Sequence, residues 1–238
     1  MSAVLRNHLL PPIRELFEAA ALLHKAAIAH TNYDDTSAKA LILQTDIDPS
    51  KRSAAIFDWS EALFGGNVLS AGRKISPEVK AQIFTYFEDP DKPRSVPPEQ
   101  RASGVISKGL AKEVINRDGY FCRFCGIPVI DPRARVVLWK AYPRALRWVN
   151  PDPQKRPRNI DKHIAFQALE LNLDHILPRS RGGQNTRENI IVTCAPCNCG
   201  RSHHTLAEMG LADPMSRTKA VPAGFEDWSG LTVVLNRS

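Results

Sequence analysis

Apolar positions along this chain change their period twice, and the changes divide it. Ile13, Leu16, Phe17, Ala20, Leu23, Ala27 and Ile28 recur every three or four residues, the spacing of one helical face. Pro11 and Pro12 stand where such a helix can begin. Ser50 is placed to cap a second helix carrying Ile56, Trp59, Leu63 and Phe64, with Gly65-Gly66 as its stop. Ser76-Pro77-Glu78 opens a third, carrying Val79, Ile83, Phe84 and Phe87 until Asp89-Pro90 ends it. Residues 89–104 lose all periodicity and are rich in proline and charge, the pattern of a linker. A short helix over 107–117 then leads to the turn at Asp118-Gly119. Beyond it the pattern shortens. Leu171, Leu173, Ile176 and Leu177 predict a buried strand, 189–194 a returning strand, and 198–209 a helix.

These elements predict an α+β chain: a helical domain over 1–104, a second domain over 105–212 with a basic insertion at 130–170, and a tail over 213–238. In the tail, Trp228 and residues 231–235 are expected to pack back as a strand or clasp. The N-terminal helices suit either a bundle packed on itself or a module that reads DNA or docks a partner.

Charge narrows the partner. The 32 Lys and Arg outnumber the 25 Asp and Glu for a formal +7, and four thiolates around one divalent ion would leave the chain basic. A cationic surface favours a polyanion such as nucleic acid. The start of the chain lacks a signal peptide's apolar core, and no run approaches the roughly 18 apolar residues of a membrane span. A cytoplasmic protein is expected. In the insertion, Arg133, Arg135, Lys140, Arg144, Arg147, Lys155, Arg156 and Arg158 are interleaved with Trp139, Tyr142 and Trp148. Arg144, Arg147, Arg156 and Arg158 are candidate phosphate contacts, as are Arg179 and Arg181 further on, while the aromatics either stack on bases or anchor a local core.

Cysteine spacing is more specific. Cys122-Arg-Phe-Cys125 and Cys194-Ala-Pro-Cys197 form two C-x-x-C pairs 69 positions apart, and paired knuckles in a reducing compartment point to zinc rather than disulfides. Four thiolates make a closed structural Zn²⁺ site that ties together distant parts of the chain. Cys199 is left over as a bystander. Between the pairs, Asp174 and His175 stand side by side at the end of the first strand, with Pro178 and Gly182-Gly183 as its exit. A hairpin crossed by the following helix brings His203 toward them. Phosphodiester cleavage needs an activated water and charge stabilisation. His175 is the base for the water, Asp174 offers oxygen to Mg²⁺ or Mn²⁺, and His203 offers nitrogen, with adjacent His204 as the alternative. Asn189 suits holding the hairpin loop or orienting His175.

The segments D-G-Y-F-C-R-F-C-G and L-D-H-I-L-P-R-S-R-G-G-Q-N-T-R-E-N-I-I-V-T-C-A-P-C-N resemble the HNH endonucleases over roughly 110–210. The resemblance implies a ββα-metal nuclease domain with zinc knuckles, His175 as general base, Asn189 as the middle motif residue, and Asp174 with His203 as ligands of the catalytic ion. It also implies 3′-hydroxyl and 5′-phosphate ends on the product. Many members carry Lys-Gly-Asn where this chain has Arg201-Ser202-His203, and the insertion before Asp174 is long for the family. The expected function is a metal-dependent DNA endonuclease in restriction or antiphage defence, with an ATPase as a candidate partner. The rival is a non-catalytic zinc-knuckle module that only binds nucleic acid or protein.

Overall fold

The computed structural model describes residues 13–46, 96–148, 162–209, 211–216 and 221–237. They contain six α-helices and one two-stranded antiparallel sheet, an α+β arrangement. The helices expected after Ser50 and Ser76 lie outside the described residues.

Helix α1 (Arg14–Thr31) buries Leu16, Ala19, Ala20, Leu23, Ala26, Ala27 and His30. Small residues on that face let a second helix approach closely. Ile28, expected on the apolar face, is instead 46% exposed. Helix α2 (Asp35–Gln44), which the periodicity did not reveal, follows a tight turn. The Asp34 side chain caps it by accepting from Ser37 N–H at 3.0 Å, and Ala38 and Ile42 point inward. Helix α1 also packs against helix α5 (Ile164–Leu169) and the C-terminal 3-10 turn Thr232–Asn236. Phe17 meets the Phe225 ring at 4.8 Å and His24 meets Trp228 at 5.6 Å. The N-terminal helices therefore share a core with the zinc-knuckle half of the chain. The tail is a clasp rather than a strand. Trp228 Nε1–H donates to the Val129 carbonyl at 3.0 Å and fixes it there.

Helix α3 (Lys108–Asp118) matches the short helix expected over 107–117, and Ser107 Oγ caps it by accepting from Leu110 N–H. Its last residue, Asp118, is buried. Arg117 holds both carboxylate oxygens at 2.7 Å, and Val192 N–H donates to Oδ2 at 3.0 Å. The helix is thereby tied to strand β2 (Ile190–Thr193), against which it packs. Strand β1 (Asn172–His175) pairs with β2 in the register Asp174↔Ile191 and His175↔Ile190. Every residue of β2 is buried, because the hairpin is covered on both faces. Helix α6 (Ala195–Arg201) follows immediately and completes a β-β-α unit.

The described part of the insertion carries defined secondary structure. Asp131 caps helix α4 (Pro132–Ala141), accepting from Arg133 N–H at 2.8 Å. Several of the basic residues are engaged internally: Arg133 with Asp131, and Arg135 with Glu170 at 3.0 Å while lying 4.0 Å above the Trp148 ring. Tyr142 is buried, its hydroxyl donating to Asp35 Oδ1 at 2.6 Å. Trp139 and Trp148 pack against the core. Among the described residues these aromatics anchor a local core. No helix of the described residues is long and apolar enough to cross a membrane.

Candidate functional site

Two sites hang on the hairpin, one closed and one open. The closed one gathers Cys122, Cys125, Cys194 and Cys197, all buried, with their sulfurs within 4.8 Å of one another. Local turns explain the convergence. In the first knuckle Cys122 N–H donates to Ile127 O at 2.9 Å, and Gly126 adopts a φ of 75°, which a side chain would disfavour. In the second, Cys194 precedes the first turn of α6, so Cys197 lies one turn later on the same side. Arg123 N–H donates to Val192 O at 2.9 Å and brings the two knuckles together.

Cys125 Sγ and Cys194 Sγ are 3.7 Å apart, close to the edge of about 3.8 Å expected for tetrahedral sulfurs at 2.3 Å from zinc. Burial and the neighbouring sulfurs push the Cys194 and Cys197 thiols well up. At Cys122 burial opposes ionisation, but hydrogen bonds from the other three outweigh it and draw the thiol well down. A divalent ion at the centre would hold all four as thiolates. The cluster is compatible with structural zinc. Cys199 is exposed and outside it.

The open site is a cleft of about 250 Å³ at the exit of β1. Asp174, His175 and His203 all line it, together with Pro178, Ser180, Ser202 and two arginines, Arg101 and Arg179. Asp174 is held from two sides. Its Oδ1 accepts from His175 N–H at 2.8 Å, and its Oδ2 accepts from Arg201 Nε at 3.0 Å and Nη2 at 2.5 Å. Arg201 is fully buried and also donates to the carbonyls of His175, Ile176 and His204. It closes the end of α6 onto the end of β1. Burial raises the Asp174 carboxyl, and the Arg201 guanidinium limits the rise.

The helix after Cys197 departs from expectation. Residues 198–209 were predicted as one helix, but α6 stops at Arg201 and Ser202 takes a φ of 49°. Arg201 must turn inward to reach Asp174. A new turn then starts at Thr205, whose N–H donates to Glu208 Oε2 at 2.8 Å while Glu208 N–H donates back to Thr205 Oγ1 at 3.3 Å. His203 and His204 therefore do not diverge as helical neighbours. They stack, with ring centres 4.6 Å apart. His203 reaches the cleft lining. His204 is buried behind it, beside Glu208 at 3.8 Å. Burial, then the Arg181 charge, lowers the His203 pKa, so its ring is neutral near pH 7.

Asn189 bridges the two ends of the hairpin loop. Its Oδ1 accepts from Leu177 N–H at 2.8 Å, and its amide donates to Leu177 O and Gln184 O at 3.2 and 2.9 Å, closing the hairpin loop. Gly183 permits this closure, because a Cβ there would sit 1.7 Å from the Leu177 carbonyl oxygen. The partner of His175 is Asn185, whose Oδ1 lies 2.7 Å from His175 Nε2. Nothing in the spacing singled out Asn185.

The expected phosphate contacts separate. Arg179 lines the cleft. Arg181 does not: its side chain is 4% exposed and sits 3.5 Å from Glu208. Arg144 is exposed, Arg147 is exposed and pairs with Asp46 at 2.9 Å, and Arg156 and Arg158 lie outside the described residues. Residues 96–104, expected as a linker, run along the motif loop instead. Val96 N–H donates to Ser180 O at 2.7 Å, and Arg179 Nε donates to Ala102 O at 2.9 Å. That course brings Arg101 to the cleft, a residue the sequence reading missed.

Residues 162–211 match the family model described as HNH endonuclease. No curated protein and no solved structure matches the chain.

Proposed function

Residues 162–211 belong to the HNH endonuclease family, and on that premise we propose that this protein is a metal-dependent endonuclease that hydrolyses phosphodiester bonds in DNA. The observation that carries this reading is the convergence of Asp174, His175 and His203 on one cleft at the end of a hairpin crossed by a helix.

The residues present suit a hard divalent cation. An ionised carboxylate has about four lone-pair positions, and the hydrogen bonds to Asp174 occupy three, leaving one on Oδ1. The neutral His203 ring can add nitrogen, and waters or a phosphate oxygen complete the shell that Mg²⁺ or Mn²⁺ prefers. Such an ion would offset charge on the phosphate and on the leaving oxygen. His175 takes the proton from the attacking water. Arg101 and Arg179 face the cleft and suit the phosphate oxygens flanking the reacting one. Asn189 and Gly183 hold the loop that carries Arg179, while Arg201 holds Asp174. The four cysteines, loaded with Zn²⁺ in a reducing cytoplasm, brace the hairpin beneath. A role in restriction or antiphage defence, with an ATPase-type partner, rests on the extra N-terminal region preceding a nuclease domain.

One observation favours the rival, a zinc-knuckle binding module without catalysis: Arg201 already neutralises the Asp174 carboxylate. A plasmid-nicking assay decides. Purified protein should convert supercoiled to open-circle DNA with Mg²⁺ or Mn²⁺ and not with EDTA. His175→Ala should abolish the conversion. Metal-independent binding without cleavage, over a wide range of ions, would select the binding module.

A further inference from the structure

We propose that Asn185 is a positioning residue that fixes the tautomer of His175, and that the strap over 96–105 sets the orientation of Asn185. The role assigned to His175 rests on the nuclease reading; the tautomer itself does not.

The argument follows from which groups can donate. Asn185 Nδ2 lies 3.0 Å from the Ser103 carbonyl oxygen and 3.2 Å from that of Val105. A carbonyl oxygen only accepts, so two of them facing one end of the amide require the NH₂ there. The amide oxygen is then turned toward His175, with Oδ1 2.7 Å from Nε2. An amide oxygen also only accepts, so Nε2 must carry the hydrogen. In a neutral imidazole this leaves Nδ1 as the basic nitrogen. One side chain thus converts two backbone carbonyls of the strap into a choice of tautomer at His175.

The strap is held independently of this contact. Val96 N–H donates to Ser180 O, Arg179 Nε donates to Ala102 O, and Arg101 Nε donates to the Val96 carbonyl at 2.8 Å. Three bonds that do not involve Asn185 place Ser103 and Val105, so the amide meets a preformed pair of acceptors. Asn185 and the strap form a single hydrogen-bonded chain from residues N-terminal to the matched segment into the site.

The test reads the ring nitrogens directly. Zinc-loaded full-length protein, with ¹⁵N-labelled histidine and no Mg²⁺ or Mn²⁺, is studied by long-range ¹H–¹⁵N NMR, with the pH raised until the His175 ring-nitrogen shifts no longer change. The His175 resonance is identified by its loss in His175→Ala. Wild type should show the Nε2–H tautomer alone, and Asn185→Ala a mixture of both. Plasmid nicking by Asn185→Ala should show kcat lowered at least about tenfold, with KM within about twofold, as expected when a partner that holds a catalytic histidine is lost. A wild-type His175 protonated at Nδ1 overturns the proposal without any variant. So does an Asn185→Ala protein that keeps a pure Nε2–H tautomer and the wild-type kcat. If wild type shows the Nε2–H tautomer and cleaves nothing, the nuclease reading falls and the positioning geometry stands. If it cleaves with the proton on Nδ1, the reverse holds.

Discussion

The cysteine cluster and the cleft hang on the same two strands, yet they differ in where their geometry comes from. The cluster is assembled from two short turns, each holding its own pair of sulfurs, and all four are buried. The cleft takes one strand end, one loop, the turn after α6 and a strap from before the matched segment. Its side chains are oriented by hydrogen bonds made between those pieces rather than within them. A closed site of the first kind is specified by spacing and contributes folding free energy. An open site of the second kind is specified by tertiary contacts, and it leaves coordination and hydrogen-bonding capacity unused for a ligand. Changes at the two should therefore separate stability from activity.

The largest separation is between the cysteines and His175. Cys122→Ser or Cys197→Ser should lower the melting temperature sharply and reduce solubility, because the three sulfurs left in the buried cluster would no longer close a four-thiolate site around zinc. His175→Ala should leave the melting temperature within a few degrees of wild type and abolish cleavage. Removing zinc with a strong chelator should reproduce the cysteine effect in wild type. Elemental analysis showing no zinc in normally folded protein would break the comparison at its root.

Arg201 couples stability to the cleft. It is wholly buried, yet its partner lines the cleft. Arg201→Ala would strand the Asp174 carboxylate without its counter-ion and empty a volume at the end of α6. The expected loss is about 3–5 kcal/mol in denaturant unfolding. Arg201→Ala combined with Asp174→Asn should recover part of it, since the uncompensated charge is gone. A loss below about 1 kcal/mol in the single variant would show that water reaches the carboxylate and that the pair is a surface bridge.

The same contrast explains what could be read in advance. The knuckle pairs, the helix α3, the β-hairpin and α1 were legible, because each is written in neighbouring residues. Helix α2 was missed because it is short and buries only Ala38 and Ile42, too few positions for a period to emerge. Its signal was the capping aspartate, Asp34. The helix expected over 198–209 breaks because a long-range ion pair claims Arg201, and because Thr205 and Glu208 restart the chain locally. Thr205-x-x-Glu208 is a local capping signal for that restart, which the expectation of one continuous helix passed over. Asn185 and Arg101 had no local signature: their positions depend on a strap that composition alone presents as a linker.

Within the cleft, His203 and His204 test how finely the lining decides function. Their rings stack, but only His203 reaches the cleft wall. His203→Ala should lower cleavage by orders of magnitude, and His203→Asn should retain part of the activity, because an amide oxygen still binds a hard cation. His204→Ala should keep most cleavage and lose a little stability, since it empties a buried position beside Glu208. Cleavage that survives His203→Ala and fails in His204→Ala would exchange the two assignments.

The smallest expected effect concerns the arginines, and it separates facing the cleft from belonging to the fold. Arg101 and Arg179 line the cleft, whereas Arg181 is buried against Glu208. If Arg101 contacts a phosphate, Arg101→Gln should weaken binding to DNA of any sequence. It should also reduce the slope of log affinity against log salt by roughly one, the counterion released per phosphate contact. Arg179→Gln should do the same, with an added loss from its bond to Ala102 O. Arg181→Gln should leave the slope unchanged and act on stability instead, because a guanidinium buried against Glu208 reaches no phosphate and so releases none of the counterions condensed on DNA. The measurement is a salt titration of binding to a short duplex in EDTA, so that no cleavage intervenes. An unchanged slope in the Arg101 variant would make the strap a purely structural wall. A reduced slope in the Arg181 variant would mean that DNA opens the Glu208 pair when it binds.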